Sequence, residues 1–167
     1  MPKTEENLKA AFAGESQANW RYTFFAERAE RDGLKQVAKL FRAAAMAEGL
    51  HAKRHLIMLK GVKSTAENLQ AAIEGESYES REMYPGFEKD AGAEGNKAAA
   101  LSFEQTGKVE KVHEELFRAA LKAVETDVKL EEKPYWVCGG CGNTVLGEPP
   151  ERCPIYGASK SMFKRVD

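Results

Sequence analysis

From about Thr4 to Lys129 the chain repeats apolar positions at steps of three and four, the spacing of one helix face, in four successive stretches. The first stripe runs Leu8, Phe12, Glu15, Asn19, Tyr22, Ala26, and the second Val37, Phe41, Ala44, Glu48, His51, His55, Met58. The third runs Leu69, Ile73, Glu76, Ser80, Met83, Phe87, and the fourth Ala99, Phe103, Thr106, Glu110, His113, Phe117, Val124. A step of about 3.5 residues is the seam of a four-helix bundle, so the pattern predicts a mainly α fold. Asp32-Gly33 and Gly61 supply stops for the first two helices, and the segment Gly92 to Gly95 separates the third from the fourth. Ser64-Thr-Ala-Glu67 reads as a capping box opening the third helix. Pro85 falls inside the third pattern, where a missing backbone donor predicts a kink.

Glutamates occupy positions on these seams where leucines belong. Two copies of Glu-x-x-His, Glu48 to His51 and Glu110 to His113, lie 62 residues apart, and a lone Glu precedes each, Glu15 and Glu76, 61 residues apart. With 22 glutamates in 167 residues a single match means little, but the repeated spacing is a poor fit to coincidence. In each predicted hairpin the ligand positions fall at similar distances from the turn, so the two halves, 4–60 and 65–125, read as a duplicated hairpin with its polar groups meeting at mid-height. An unpaired buried carboxylate costs several kcal/mol, so such a seam requires cations or protons. One Glu from each of two helices plus a Glu-x-x-His from each of the other two is the ligand pattern of ferritin-like two-metal bundles. Carboxylates with one imidazole per metal suit iron or manganese.

Composition narrows the alternatives. The 25 basic and 26 acidic residues are well mixed and leave a net charge of −1, which predicts neither a nucleic-acid track nor a membrane-binding face. No apolar run approaches the roughly 20 residues needed to span a bilayer, and the expectation is a cytoplasmic protein. All three cysteines, Cys138, Cys141 and Cys153, cluster near the C-terminus, an odd number that points to metal ligation in a reducing compartment. The segment 135–167 is too short for a stable apolar core of its own, so a metal staple is expected there. Cys138-Gly-Gly-Cys141-Gly and Cys153-Pro-Ile-Tyr156-Gly-Ala resemble the two knuckles of a rubredoxin, with Tyr156 in place of the fourth cysteine. Iron with an oxygen fourth ligand, zinc, or partial occupancy all remain open for this site.

Ala13-Gly-Glu-Ser-Gln-Ala18, Gly75-Glu-Ser-Tyr-Glu79, Glu82-Met-Tyr-Pro85 and the C-terminal cysteine unit together resemble the rubrerythrins over essentially the whole chain. The resemblance implies a ferritin-like four-helix bundle over 1–130 followed by a small rubredoxin-like metal-binding domain over 135–167. It implies two iron ions held by Glu15, Glu48, His51, Glu76, Glu79, Glu110 and His113, with Glu48 and Glu110 bridging, and one iron or zinc at the C-terminal site. Glu79 and His51 take the roles of the residues between which one iron moves on redox change. Tyr22 and Tyr84, two turns from Glu15 and Glu76, are expected to hydrogen-bond ligand carboxylates. The implied activity is a non-haem di-iron peroxidase that reduces hydrogen peroxide, with electrons from a rubredoxin or an NAD(P)H-dependent reductase. The rival reading is a ferroxidase or iron-storage protein oxidising Fe(II) with dioxygen.

One length sets the assembly. Ferritin-like bundles run their second and third helices parallel, which needs a crossover as long as the bundle. Only four residues separate Lys60 from Thr65, a reach of about 14 Å against helices of roughly 40 Å. Either the chain is an up-down-up-down bundle, or its two hairpins pair with those of a second copy in a domain-swapped homodimer. The swapped homodimer is the favoured reading.

Overall fold

The computed structural model describes residues 3–167. Its contacts divide the chain after Lys63 into two compact units. The sequence boundary expected at 130–135 falls inside the second unit.

The first unit is an antiparallel hairpin of α1 (Lys3–Arg31) and α2 (Lys35–Met58). Alanines line its interface: Ala18, Ala26 and Ala29 on α1 and Ala38, Ala45 and Ala52 on α2 are all buried. Small side chains let the two backbones approach, and Asn19 Nδ2 donates to the Ala45 carbonyl at 2.6 Å across that seam. The turn closes as a Schellman motif, with Leu34 N–H bonded to Ala29 O at 2.9 Å, Gly33 N–H to Glu30 O at 3.0 Å, and Gly33 left-handed at φ +76°. The same motif ends α2, where Gly61 N–H bonds Leu56 O and Lys60 N–H bonds Ile57 O, both at 2.9 Å. There the left-handed residue is Lys60 (φ +54°), not the glycine expected from the sequence. Gly61 serves a different need, because a Cβ on it would collide with the Leu56 side chain.

The second unit begins at Ser64, whose hydroxyl accepts from Glu67 N–H at 3.3 Å while Ser64 N–H donates to Glu67 Oε2 at 3.2 Å, the capping box read from the sequence. α3 (Thr65–Tyr78) leads into a π-turn (Glu79–Met83) and then α4 (Tyr84–Ala93), and all three pack on α5 (Lys97–Glu125). The single kinked helix expected here is thus broken one turn early. Tyr84 N–H bonds Glu79 O, five residues back, so the ladder has already shifted before Pro85 removes its donor. Gly95 (φ +73°) ends α4, and Asn96 Oδ1 caps α5 by accepting from Ala99 N–H at 3.1 Å.

Between these helices lie Ile73, Ala91, Val109, Ala123 and one charged side chain, Glu114, which is 2% exposed. Arg81 Nη2 donates to both Glu114 oxygens, at 2.9 and 3.1 Å, and Arg118 reaches Oε1 through Nε at 2.9 Å and Nη2 at 2.6 Å. Four charge-assisted bonds therefore offset the desolvation of that carboxylate. Beyond α5 a three-stranded antiparallel sheet in the order β2-β1-β3 is formed by β1 (Tyr135–Cys138), β2 (Thr144–Leu146) and β3 (Phe163–Val166). Its core is Cys138, Cys153, Ala158 and Phe163, with Trp136, Cys141, Val145 and Ile155 against it.

Candidate metal centres

The predicted ligand set is divided between the units, three residues in the first and four in the second. In the first, Glu15 from α1 and Glu48 and His51 from α2 bring one ligand atom each within 4.8 Å of one another. In the second, Glu76 from α3 and Glu110 and His113 from α5 do the same. The i,i+3 spacing aligns both pairs identically, with His51 Nδ1 2.9 Å from Glu48 Oε2 and His113 Nδ1 2.9 Å from Glu110 Oε2. That repetition is the geometry of a duplicated hairpin.

The second half-site is electrostatically tense. Burial first, and then contact with Glu110, pushes the Glu76 carboxyl up to about 7. Glu76 Oε2 is buried with no hydrogen-bond partner and lies 3.7 Å from His113 Nδ1. Glu110 is held below the carboxylate range by its bond to His113, and His113 is raised by the same bond. Two crowded carboxylates, one with an orphaned oxygen aimed at a ring nitrogen, are a donor set that a cation satisfies and a proton satisfies only in part. The residues present fit iron.

Glu79 opens the π-turn and lies outside the close trio, with its carboxyl raised by burial and then by Glu110. Tyr84 is raised by burial and then by Glu110, Glu79 and Glu76, which places its phenol within the field of all three carboxylates. Tyr22 sits among aromatic rings, 6.2 Å from Phe25 and 6.1 Å from Phe41. Among the described residues neither phenol hydrogen-bonds a ligand carboxylate. His55 is half-buried with Nδ1 unpartnered. Trp20 and Phe24 stack on one another at 5.8 Å and are 62% and 57% exposed.

One contact escaped the sequence reading. His113 Nε2 lies 3.0 Å from Thr144 Oγ1, whose hydroxyl donates to Gly142 O at 3.1 Å. The ring is thereby held at both nitrogens, by Glu110 at Nδ1 and Thr144 at Nε2, and a cation that took Nδ1 would leave Nε2 as the nitrogen that donates to Thr144. Nothing in the spacing of Thr144 announces this, because the contact exists only once β2 lies against α5.

In the C-terminal module the three cysteine sulfurs fall within 4.8 Å of one another, with Cys141 and Cys153 3.7 Å apart. A tetrahedron with metal–sulfur bonds of about 2.3 Å has edges of about 3.8 Å, which the Cys141–Cys153 separation matches, and Cys138 is near enough to complete a metal-holding trio. Burial pushes the Cys141 thiol up to about 12, while Cys153, against the same burial, is lowered by the N–H groups of Tyr156 and Ile155.

No described helix is long and apolar enough to cross a membrane. The rubrerythrin family model matches residues 6–121. A rubrerythrin of Porphyromonas gingivalis is 40% identical, over 97% of this chain and 89% of its own length. A putative rubrerythrin of Methanocaldococcus jannaschii is 39% identical over 98% of this chain and 93% of its own. Among solved structures, fully reduced, all-ferrous nigerythrin aligns with a TM-score of 0.58 and 35% identity, covering 99% of this chain and 88% of that one. The fold class is accordingly the one read from the sequence, a ferritin-like helical bundle followed by a rubredoxin-like module. With its paired Glu and Glu-x-x-His half-sites and its C-terminal cysteine trio, the chain belongs to the rubrerythrin family of non-haem di-iron oxidoreductases.

Proposed function

We propose that this protein is a di-iron peroxidase that reduces hydrogen peroxide to two waters, consuming two electrons and two protons, in defence against oxidative stress. The observation that carries this reading is the matched pair of half-sites with one further carboxylate, Glu79, standing just outside them. Two ferrous ions, when bound, supply the electrons. Glu15, Glu48 and His51 would hold one side of the centre and Glu76, Glu110 and His113 the other, with Glu48 and Glu110 the carboxylates that the family resemblance assigns to both ions. Glu79, at the start of the π-turn, would be the carboxylate that binds or leaves, and His51, nearly half exposed, would take the complementary position. In this reading Glu79 takes up a proton while detached, since burial and then Glu110 raise its carboxyl, and the Tyr84 phenol lies within its field.

The centre is completed by a second copy. In this reading residues 1–130 of two chains build the bundles, each hairpin pairing with the complementary hairpin of its partner in a swapped homodimer, because four residues between Lys60 and Thr65 cannot make the parallel crossover. Electrons return through the module at 135–167 or from an external rubredoxin or NAD(P)H-dependent reductase, in the reducing cytoplasm that keeps Cys138, Cys141 and Cys153 as thiols. The test is anaerobic stopped-flow mixing of diferrous protein with hydrogen peroxide and, separately, with dioxygen. Faster oxidation by peroxide supports the peroxidase, and faster oxidation by dioxygen moves the assignment to a ferroxidase.

A further inference from the structure

The two knuckles of the C-terminal module share one backbone design. In the first, Gly142 N–H donates to Cys138 O at 2.9 Å with Gly142 left-handed at φ +85°. In the second, Gly157 N–H donates to Cys153 O at 2.8 Å with Gly157 at φ +76°. Tyr156 therefore occupies the backbone position that Cys141 occupies in the first knuckle, and its N–H donates to Cys153 Sγ at 3.4 Å. Its side chain does something else. The ring edge, Cγ, Cδ1 and Cε1, lies over Gly140, where any Cβ would collide with it. The backbone of this turn is thus the one a fourth thiolate needs, while the side chain is directed onto the opposite knuckle.

Geometry separates the phenol from the metal position. A thiol sulfur hangs directly from Cβ, whereas a phenol oxygen lies a ring's length beyond it, so from an undistorted knuckle it overshoots a vertex set by metal–sulfur bonds of about 2.3 Å. Cys141 and Cys153 already have the spacing of one tetrahedral edge, with the Cys138 sulfur within 4.8 Å of both. Cys138 and Cys153 are 2% exposed and close the inner side, while Tyr156 is 48% exposed, so the remaining vertex faces solvent.

We propose that the metal held by Cys138, Cys141 and Cys153 has an open fourth position, flanked by the Tyr156 ring and not ligated by it, that accepts a small exogenous donor such as an imidazole nitrogen. An open position is the feature that separates reactive from purely structural thiolate sites. Gly140 is the residue that lets the ring lie aside.

The experiment uses the full-length protein, loaded with cobalt(II) and titrated with imidazole. The chain has only three cysteines, so the thiolate-to-cobalt charge-transfer band reports this module and not the bundle. The expected result is a saturable shift of that band. Tyr156→Phe is expected to leave both the starting spectrum and the shift unchanged, and Tyr156→Cys, which supplies a fourth thiolate, to abolish the shift. A starting spectrum altered by Tyr156→Phe would show the phenol to be a ligand and overturn the proposal. So would a wild-type band that is absent, that imidazole leaves unmoved, or that fades without shifting because imidazole strips the cobalt from the three thiolates.

Discussion

Removing both arginines from Glu114 should cost more than the sum of removing each. The carboxylate is 3% exposed, whereas Arg81 and Arg118 are 64% and 55% exposed, so the desolvation is borne almost entirely by Glu114. Either arginine alone still leaves it two charge-assisted bonds, and because an exposed partner is solvent-screened, Arg81→Ala or Arg118→Ala should each cost about 1 kcal/mol. With both gone, a buried carboxylate has no counter-charge, and the cost rises to about 3–5 kcal/mol. The excess over additivity, about 1–3 kcal/mol, measures the coupling. The assay is urea unfolding of metal-free protein, followed by helical circular dichroism at one fixed protein concentration, with midpoints converted through a common slope. Strict additivity, or a double variant costing less than about 2 kcal/mol, would refute the reasoning, since either requires that Glu114 is hydrated or protonated in the fold.

Thr144→Val keeps the shape of the side chain but removes the acceptor facing His113 Nε2, so iron(II) affinity of the bundle should fall about 10-fold or more in a metal titration. Lys60→Gly relieves a left-handed lysine and should stabilise the protein by about 1 kcal/mol, read as a rise of about 2–4 °C in thermal midpoint. Because the Glu76 carboxyl is raised to about 7, the unfolded chain releases its proton first, and metal-free protein loses stability from this group as pH climbs from about 4.5 to about 7. A series of melts across that range should show the advantage of Glu76→Gln over wild type growing with pH and levelling above 7, and saturating iron should erase it. Glu79→Ala should slow peroxide turnover while iron analysis finds most of the metal retained, whereas complete loss of iron would reduce Glu79 to a structural ligand.

Apolar periodicity was enough to set the four helical stretches, the Ser64 to Glu67 cap and the positions of both Glu-x-x-His pairs, because each depends on neighbours within a few residues. The half-sites were legible for the same reason: a three-residue spacing on a helix brings Glu110 and His113 together whatever surrounds them. Register shifts and long-range contacts were not. Pro85 signalled an interruption, but the π-turn at 79–83 came from a backbone ladder that had already slipped to Glu79 O, in a segment that Arg81 ties to Glu114 thirty-three residues away. The stop at Lys60 was hidden because a left-handed lysine carries no composition signal, and Gly61 was needed to clear Leu56. Thr144 and Tyr156 gained their meaning only in three dimensions, one by lying under the far nitrogen of His113 and the other by laying its ring on Gly140. Sequence alone determined which atoms are available as ligands, since donor chemistry and helical spacing are local. Tertiary structure decided which of those atoms are desolvated, oriented or left without a partner, since that depends on what distant segments bring against them.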